Sequence, residues 1–389
     1  MDVVILGLGM QGRAALYDLV KFSGFEHIVA IDSQQDSVDW AKKNFNDPRV
    51  VVLKLDVTEE SLLTELFRKY ESGVLIDLLP INYIPFVSKA AIEAGWHFVN
   101  TYYTHEIHRK LDTEAAGREL TILPEFGLDP GIDLVMAGHG ISGLDKVTGY
   151  FSYGAGIPEP AACTNPLNYK ISWIFEGVLN LYYTAARIII NGESITVPRD
   201  EIFDERWLRT IDIEGIGTLE CYPNGDINGY LDLAGIQEVE NGGRYSMRYP
   251  GHHRFWYTMA KLGLLEDKVV KIGGHEMSQR RIISQLLEPH LQYADDERDM
   301  VVLRVELKGE KDGQEVEHVY EMIDYRDLTT GYFAMSRTVG FVASIGAQMI
   351  QSGVIGKRGL CTPMFDVPYE SFCGELNRRN LRIKHKKAT

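Results

Sequence analysis

The sequence predicts an α/β protein: a parallel sheet interleaved with helices over residues 1–124, then a second, α+β domain. Three observations predict it. Over residues 1–124 short β-branched runs alternate with helical patterns, as βαβ units require. A glycine-rich turn separates the first such run from the first helix. From residue 125 the alternation gives way to Gly/Pro-rich segments, such as Gly127-Leu128-Asp129-Pro130-Gly131 and the stretch 154–160, which sets a domain boundary.

The strands of the first domain are expected at residues 3–6, 28–31, 50–54, 74–77, 97–99 and 121–123. Helices are expected between them at 11–20, 37–44, 59–69, 84–94 and 105–116. The third helix carries a start signal: Thr58 offers a capping hydroxyl, and the carboxylates of Glu59 and Glu60 meet the positive end of the helix dipole. In the second domain, residues 301–308 and 315–323 flank Gly309-Glu310-Lys311-Asp312-Gly313, where Asp-Gly supplies the positive φ of a hairpin turn. Residues 338–350 read as an apolar helix, with Gly340, Ala343, Gly346 and Ala347 permitting close packing. The second domain is expected from residue 125 onward.

Composition narrows the class. At 389 residues the chain exceeds the ~250–300 that one core supports, so two domains with a cleft are expected. An apolar fraction of 45% with 24% charged residues suits a globular protein, and no apolar run reaches the ~18–20 residues of a membrane span. A strand opens the chain with no export signal before it, so a cytoplasmic location is expected. Cys163, Cys221, Cys361 and Cys373 lie far apart, which argues against both a disulfide framework and a structural zinc site. A net charge of −15 disfavours nucleic acid, and the basic stretch 378–387 reads as a solvated terminus.

Gly7-Leu8-Gly9-Met10-Gln11-Gly12 follows the first strand and opens the first helix, the context of a Rossmann dinucleotide site. Gly7 permits the turn, Gly9 lets a pyrophosphate approach the backbone, and Gly12 lets helix and strand pack closely. Asp32, twenty positions after Gly12, ends the second strand, where a carboxylate accepts both ribose hydroxyls. No Arg follows it among Ser33, Gln34, Gln35 and Asp36, so NAD is expected over NADP. The bland alternative is that the glycines only form a turn and Asp32 only caps it. Asp56 and Val57 after the third strand, and Leu79 and Pro80 after the fourth, are further expected cofactor contacts. Ser33, Met10 and Gln11 complete the expected set. No metal site is expected: His275-Glu276 lacks a second His at helical spacing.

The segments 127–133, 152–158, 165–173, 248–251 and 337–340 together resemble the saccharopine dehydrogenase family, in family order over nearly the whole chain. Within that family the chain is similar to the glutamate-forming saccharopine reductases and the related lysine 6-dehydrogenases. The resemblance implies a Rossmann domain over 1–124, a substrate and dimerisation domain over 125–335, a C-terminal segment 336–389 that returns to the first domain, a homodimer to which the 301–323 hairpin is expected to contribute an intersubunit edge, and hydride transfer from a carbon–nitrogen bond of a lysine-derived amino acid through an imine. Such chemistry needs a base or proton relay, and charged groups to orient the substrate.

Several residues are candidates. Asp129 can bind a substrate ammonium group or stabilise its own loop as an Asx turn. Tyr103 takes the place of a substrate-facing family tyrosine or packs in the wall. Tyr169, Lys170 and Trp173 are expected at the start of a helix, with Lys170 binding carboxylate or moving a proton and Trp173 shaping the pocket; a solvated Lys and a core Trp are the alternatives. Arg248 and His252 offer a carboxylate anchor and a titrating group, or structural contacts. Asn165 and Asn224 complete the expected substrate set. Two departures stand out. The chain has Gly154 where the resemblance implies a cysteine, and Asn224-Gly225-Asp226 where it implies Asn-Arg-Asp, so a guanidinium for a substrate carboxylate is missing. On that reading lysine competes with saccharopine as substrate. A working dehydrogenase and a catalytically weak NAD-binding sensor or scaffold are the two classes carried forward.

Overall fold

A computed structural model describes residues 1–58, 60–70 and 72–388 and resolves two compact units, residues 1–139 with 336–381 and residues 140–335 with 382–389. In the first, strands and helices alternate: β1 (Asp2–Leu6), α1 (Met10–Phe22), β2 (Ile28–Asp32), α2 (Gln35–Asn44), β3 (Val50–Lys54), α3 (Glu60–Lys69) and β4 (Gly73–Asp77). The alternation continues through α4 (Ile84–Glu93), β5 (His97–Asn100), α5 (Glu106–Gly117), β6 (Thr121–Leu123) and α6 (Ile132–Ser142). The strands lie parallel in the order β6-β5-β4-β1-β2-β3. β1 and β4 are buried along their whole length, because crossover helices cover both faces of a parallel sheet. Pro85 sits in the first turn of α4, where its missing N–H costs nothing. The capping signal at 58–60 rests on Glu59, which lies outside the described residues.

The second unit is built on a nine-stranded sheet. Its elements are β7 (Lys146–Pro158), α7 (Phe175–Leu181), β8 (Ala186–Ile190), β9 (Glu193–Val197), β10 (Arg209–Ile213), β11 (Gly217–Pro223), α8 (Ile227–Ala234), β12 (Asn241–Arg248) and α9 (His252–Lys261). A small two-stranded ribbon, β13 (Val269–Ile272) with β14 (His275–Ser278), precedes α10 (Gln279–Leu287) and the long pair β15 (Asp299–Lys311) and β16 (Gln314–Tyr325). The sheet is mixed: β12 and β7 run parallel, while β7, β15 and β16 are antiparallel neighbours. The hairpin turns at Asp312 (φ 53°) and Gly313 (φ 75°), and its strands run longer than the sequence pattern suggested.

The last segment divides between the units. α11 (Ala334–Ser336), a π-helical stretch (Arg337–Phe341) and α12 (Val342–Gln351) lead to β17 (Gly359–Leu360), α13 (Pro363–Asp366), α14 (Tyr369–Arg378) and β18 (Ile383–Ala388). The small residues of this helix do permit close approach: a Cβ on Gly340 would lie 2.3 Å from the Gln11 carbonyl of α1, and one on Gly346 would lie 2.6 Å from the Phe126 ring. β17 extends the first sheet beside β6, and β18 pairs with β16 in the second.

Two expectations about this end need correction. The stretch 378–387 is not simply a solvated terminus. Arg379 is fully buried against Asp18, donating through Nε (2.6 Å) and Nη2 (2.9 Å), with Ser344 and Gln348 also donating to that carboxylate. Its partner lies 361 positions away, so no local pattern could reveal it. On β18, Lys384 lies opposite Glu321 of β16, while Lys386 and Lys387 lie opposite Val319 and His318. The second correction concerns the hairpin, whose outer strand was expected to offer an edge to another subunit. That edge is closed by β18 of the same chain.

Candidate functional site

The glycine turn forms an anion cradle. Gly7 adopts φ +93°, and a Cβ there would press on the Leu78 carbonyl at 3.0 Å. A Cβ on Gly12 would collide with the Gly7 carbonyl at 1.8 Å. At Gly9, by contrast, nothing lies within 4 Å, and this residue caps α1 without any side-chain hydrogen bond. The N–H groups of the first turn, at Met10, Gln11 and Gly12, are therefore left for a ligand anion at the positive end of the helix dipole. The backbone fits a dinucleotide pyrophosphate.

Beside Asp32 stands a cation outside the expected set, Arg13. Asp32 is engaged on both oxygens by backbone donors, Leu8 N–H to Oδ2 (2.7 Å) and Gln34 N–H to Oδ1 (2.8 Å). Arg13 donates through Nε to the Leu8 carbonyl (3.0 Å) and lies 4.4 Å over the Trp40 ring of α2. The Leu8 peptide thus links the carboxylate to a guanidinium. Ser33 Oγ accepts from the Gln34 side chain (3.2 Å). Asp56 Oδ1 accepts from the Thr58 N–H (3.0 Å) and hydroxyl (2.8 Å), chiefly the former holding its carboxyl below the usual range; Val57 is buried. Leu79 N–H donates to Asp77 (3.1 Å) ahead of Pro80.

At the carboxyl ends of β4 and β5 lie two further residues outside the expected set. Asp77 and Asn100 are register partners with no exposed surface. Burial pushes the Asp77 carboxyl up to about 7. Nearby, Tyr103 is 46% exposed, and Glu125 accepts from Thr104 N–H (3.1 Å). Asp129 is half-buried in the loop after β6. That loop is closed by Asp133, which accepts from Gly131 N–H (2.7 Å), and by Gly127 N–H donating to the Pro130 carbonyl (3.0 Å).

In the second unit the segment 165–174 is a loop, and the helix begins only at Phe175. This corrects the expected helix start at Tyr169, Lys170 and Trp173. Asn165 and Lys170 hold the chain in the loop: Asn165 accepts from Leu167 N–H (3.0 Å) and donates to the Tyr169 carbonyl (2.8 Å), while buried Lys170 pairs with Glu297. Hydrogen bonding to Lys170 is the main reason the Glu297 carboxyl is held below its usual range. Lys170 is therefore not a solvated cation. Trp173 packs on Gly177 and the core beside it.

Arg248 sits at the end of β12 in an aromatic box, 5.2, 5.8 and 5.9 Å over Tyr169, Tyr182 and Tyr222. It donates to the Tyr182 hydroxyl (3.2 Å) and the Met247 carbonyl (2.8 Å), and no acidic side chain among the described residues pairs with it. His252 Nε2 meets the same hydroxyl at 2.9 Å, and burial pushes its imidazole well below the usual range, so it is neutral near pH 7. Burial also pushes Tyr169 up to about 12. Asn224 donates its N–H to the Arg244 carbonyl (2.8 Å), and Asp226 caps α8. Gly225 adopts φ +73°, and a Cβ there would lie 2.6 Å from Nη1 of Arg244, a buried guanidinium 4.4 Å over Tyr230.

A doubly covered parallel sheet with an uncapped glycine cradle at its switch point defines a Rossmann-type dinucleotide-binding oxidoreductase. Residues 3–123 match the saccharopine dehydrogenase NADP binding domain, and residues 127–381 match the saccharopine dehydrogenase C-terminal domain. The chain belongs to the saccharopine dehydrogenase family and is a saccharopine dehydrogenase-like oxidoreductase. It is 26% identical to saccharopine dehydrogenase (NADP(+), L-glutamate-forming) of Saccharomyces cerevisiae over 93% of each chain. It is 28% identical to alpha-aminoadipic semialdehyde synthase of Arabidopsis thaliana, over 81% of this chain and 36% of that longer protein. The solved apo saccharopine dehydrogenase of Saccharomyces cerevisiae shares the fold, with a TM-score of 0.88 at 24% identity over 100% of both chains.

These findings overturn the expected preference for NAD. The matching domain is an NADP-binding one, and the yeast relative is NADP(+)-dependent. The physical reason lies in the sites just described. The Asp32 charge is met by two backbone N–H groups, and a guanidinium, Arg13, stands on α1 beside the same Leu8 peptide, outside the loop after β2. Its signal was available, since Arg13 directly follows the third glycine. Asp77 and Asn100 were legible as polar residues ending apolar strands, whereas Arg244 and Glu297 were beyond any local pattern. No cluster of metal-binding side chains occurs among the described residues.

Proposed function

We propose that the protein oxidises the secondary amine of saccharopine, or reduces the corresponding imine, with NADP as hydride carrier. The observation that carries this is the continuous match of both family domains across the chain, joined to an open phosphate cradle at Gly9. NADP supplies the hydride acceptor when bound. The first-turn amides of α1 hold the pyrophosphate, and Arg13, braced by Leu8 and Trp40, takes the 2′-phosphate. Asp129 pairs with the substrate ammonium, and Tyr103 contacts the substrate from the loop after β5. Lys170 and Glu297 position the loop that carries Tyr169 and Trp173. Arg248 and His252, sealed in the aromatic box, support that loop from within. The resemblance further supports a homodimer, and four free thiols support a reducing, cytoplasmic setting.

Arg244 decides between substrates. A tricarboxylate such as saccharopine needs several cations, and the space beside Gly225 already holds one. Saccharopine should therefore exceed lysine by about tenfold or more in kcat/KM, measured as NADPH formation. Gly225→Arg should lower both melting temperature and turnover, because its side chain meets Arg244 and its backbone is left-handed. Lysine matching saccharopine, or a gain for saccharopine in Gly225→Arg, would overturn this reading.

A further inference from the structure

We propose that Asp77 and Asn100 recognise the carboxamide of the nicotinamide ring, Asp77 accepting from its N–H and Asn100 donating to its carbonyl. The inference rests on the cofactor reading above and extends it to the half of the dinucleotide where chemistry occurs. Both residues stand at the carboxyl ends of adjacent strands, where ligands of open α/β sheets bind. They are register partners in a parallel ladder, so their side chains leave the sheet on the same face at the same level. Neither has exposed surface.

Yet most of their hydrogen-bonding capacity is unused. Leu79 N–H serves one Asp77 oxygen, while Asp77 Oδ2 and both amide atoms of Asn100 find no partner. Buried polar groups are nearly always paired, and these three atoms belong to register partners at the ligand end of the sheet. They present an acceptor beside a donor. A primary carboxamide offers the matching donor and acceptor in one rigid plane. The raised proton affinity of Asp77 has the same origin, a carboxyl desolvated with a single N–H to serve it.

The test is equilibrium binding to the unliganded enzyme, followed by fluorescence. NADPH is compared with reduced 3-acetylpyridine adenine dinucleotide phosphate, whose methyl group replaces the amide nitrogen and leaves the carbonyl. Wild type should favour NADPH by about ten- to a hundredfold, the range of a hydrogen bond to a charged group. Asp77→Ala should erase that discrimination without changing affinity for the analogue. Asn100→Ala should weaken both ligands equally, because both keep the carbonyl. Asp77→Asn, which preserves shape, should show an intermediate loss for NADPH alone if the alanine variant fails to fold. Equal binding of the two ligands by wild type, as expected were the groups satisfied only by buried water, would overturn the proposal while leaving the cofactor reading intact. Failure of NADPH to bind at all would overturn the cofactor reading itself.

Discussion

Arg13 shows how much a single side chain alters the adenosine end. A guanidinium fixed by one hydrogen bond and an aromatic face loses little freedom when it meets a phosphate, and its planar fork suits that partner. Arg13→Ala should weaken NADPH by about ten- to a hundredfold and NADH by about threefold or less, measured by titration. Arg13→Lys should recover only part of the difference, since a point charge cannot bind in two places. Equal losses for NADPH and NADH would assign Arg13 to the adenine or the fold instead. At this scale the sequence was legible where chemistry sits in a motif, as at Gly7, Gly9 and Gly12. It was misleading at Asp32, because a carboxylate's meaning depends on the donors around it, and the Leu8 N–H comes from a neighbouring strand's turn.

Among the elements, β5 and α5 carry a shared sensitivity to acid. His97 on β5 accepts from Thr121 N–H (3.0 Å), and His108 on α5 accepts from His105 N–H (3.2 Å). Burial pushes each imidazole from 6.5 to about 4. A histidine whose folded pKa lies below its unfolded one contributes fully above pH 6.5, and that contribution is lost as pH falls toward 4. The loss amounts to about 2–3 kcal/mol for each residue. Asp77 acts in the opposite sense: raised from 3.8 to about 7, it favours the folded state as pH falls through that window. Melting should therefore fall only modestly between pH 7 and 5 in wild type and more steeply in Asp77→Asn, while His108→Gln should flatten the decline. A slope unchanged by both substitutions would refute this assignment. The three groups share one cause, since β4, β5 and α5 bury polar atoms that the strand pattern alone presents as ordinary members of a run.

For the molecule as a whole, the division of the last fifty-odd residues matters most. Residues 336–381 complete the first unit through α12, β17 and the Asp18–Arg379 pair, while residues 382–389 complete the second through β18. Breaking a buried ion pair by removing one partner costs about 3–5 kcal/mol. A chain truncated after residue 335 should therefore lose dinucleotide binding and cooperative unfolding of the first unit. One truncated after residue 381 should keep NADPH affinity within about twofold, below 0.5 kcal/mol, because β18 pairs with β16 in the second unit and leaves the glycine cradle of the first untouched. Calorimetry and NADPH titration of the two chains would decide, and intact binding in the shorter one would show that the first 139 residues fold alone.

The sequence by itself determined the class of the fold, the cofactor cradle and the family, because these are written in local periodicity and in glycines whose backbone geometry admits no substitute. It also determined the order of the first six strands' supporting helices, to within a residue or two at most ends. Only the tertiary structure decided what the charges do. Which donors meet Asp32, whether Lys170 is free, whether Gly225 leaves a gap and whether Arg379 is a solvated tail all depend on partners distant in the chain: Leu8, Glu297, Arg244 and Asp18. Electrostatic roles are set by the nearest few ångströms of surroundings, and those are assembled by folding, not by adjacency along the chain.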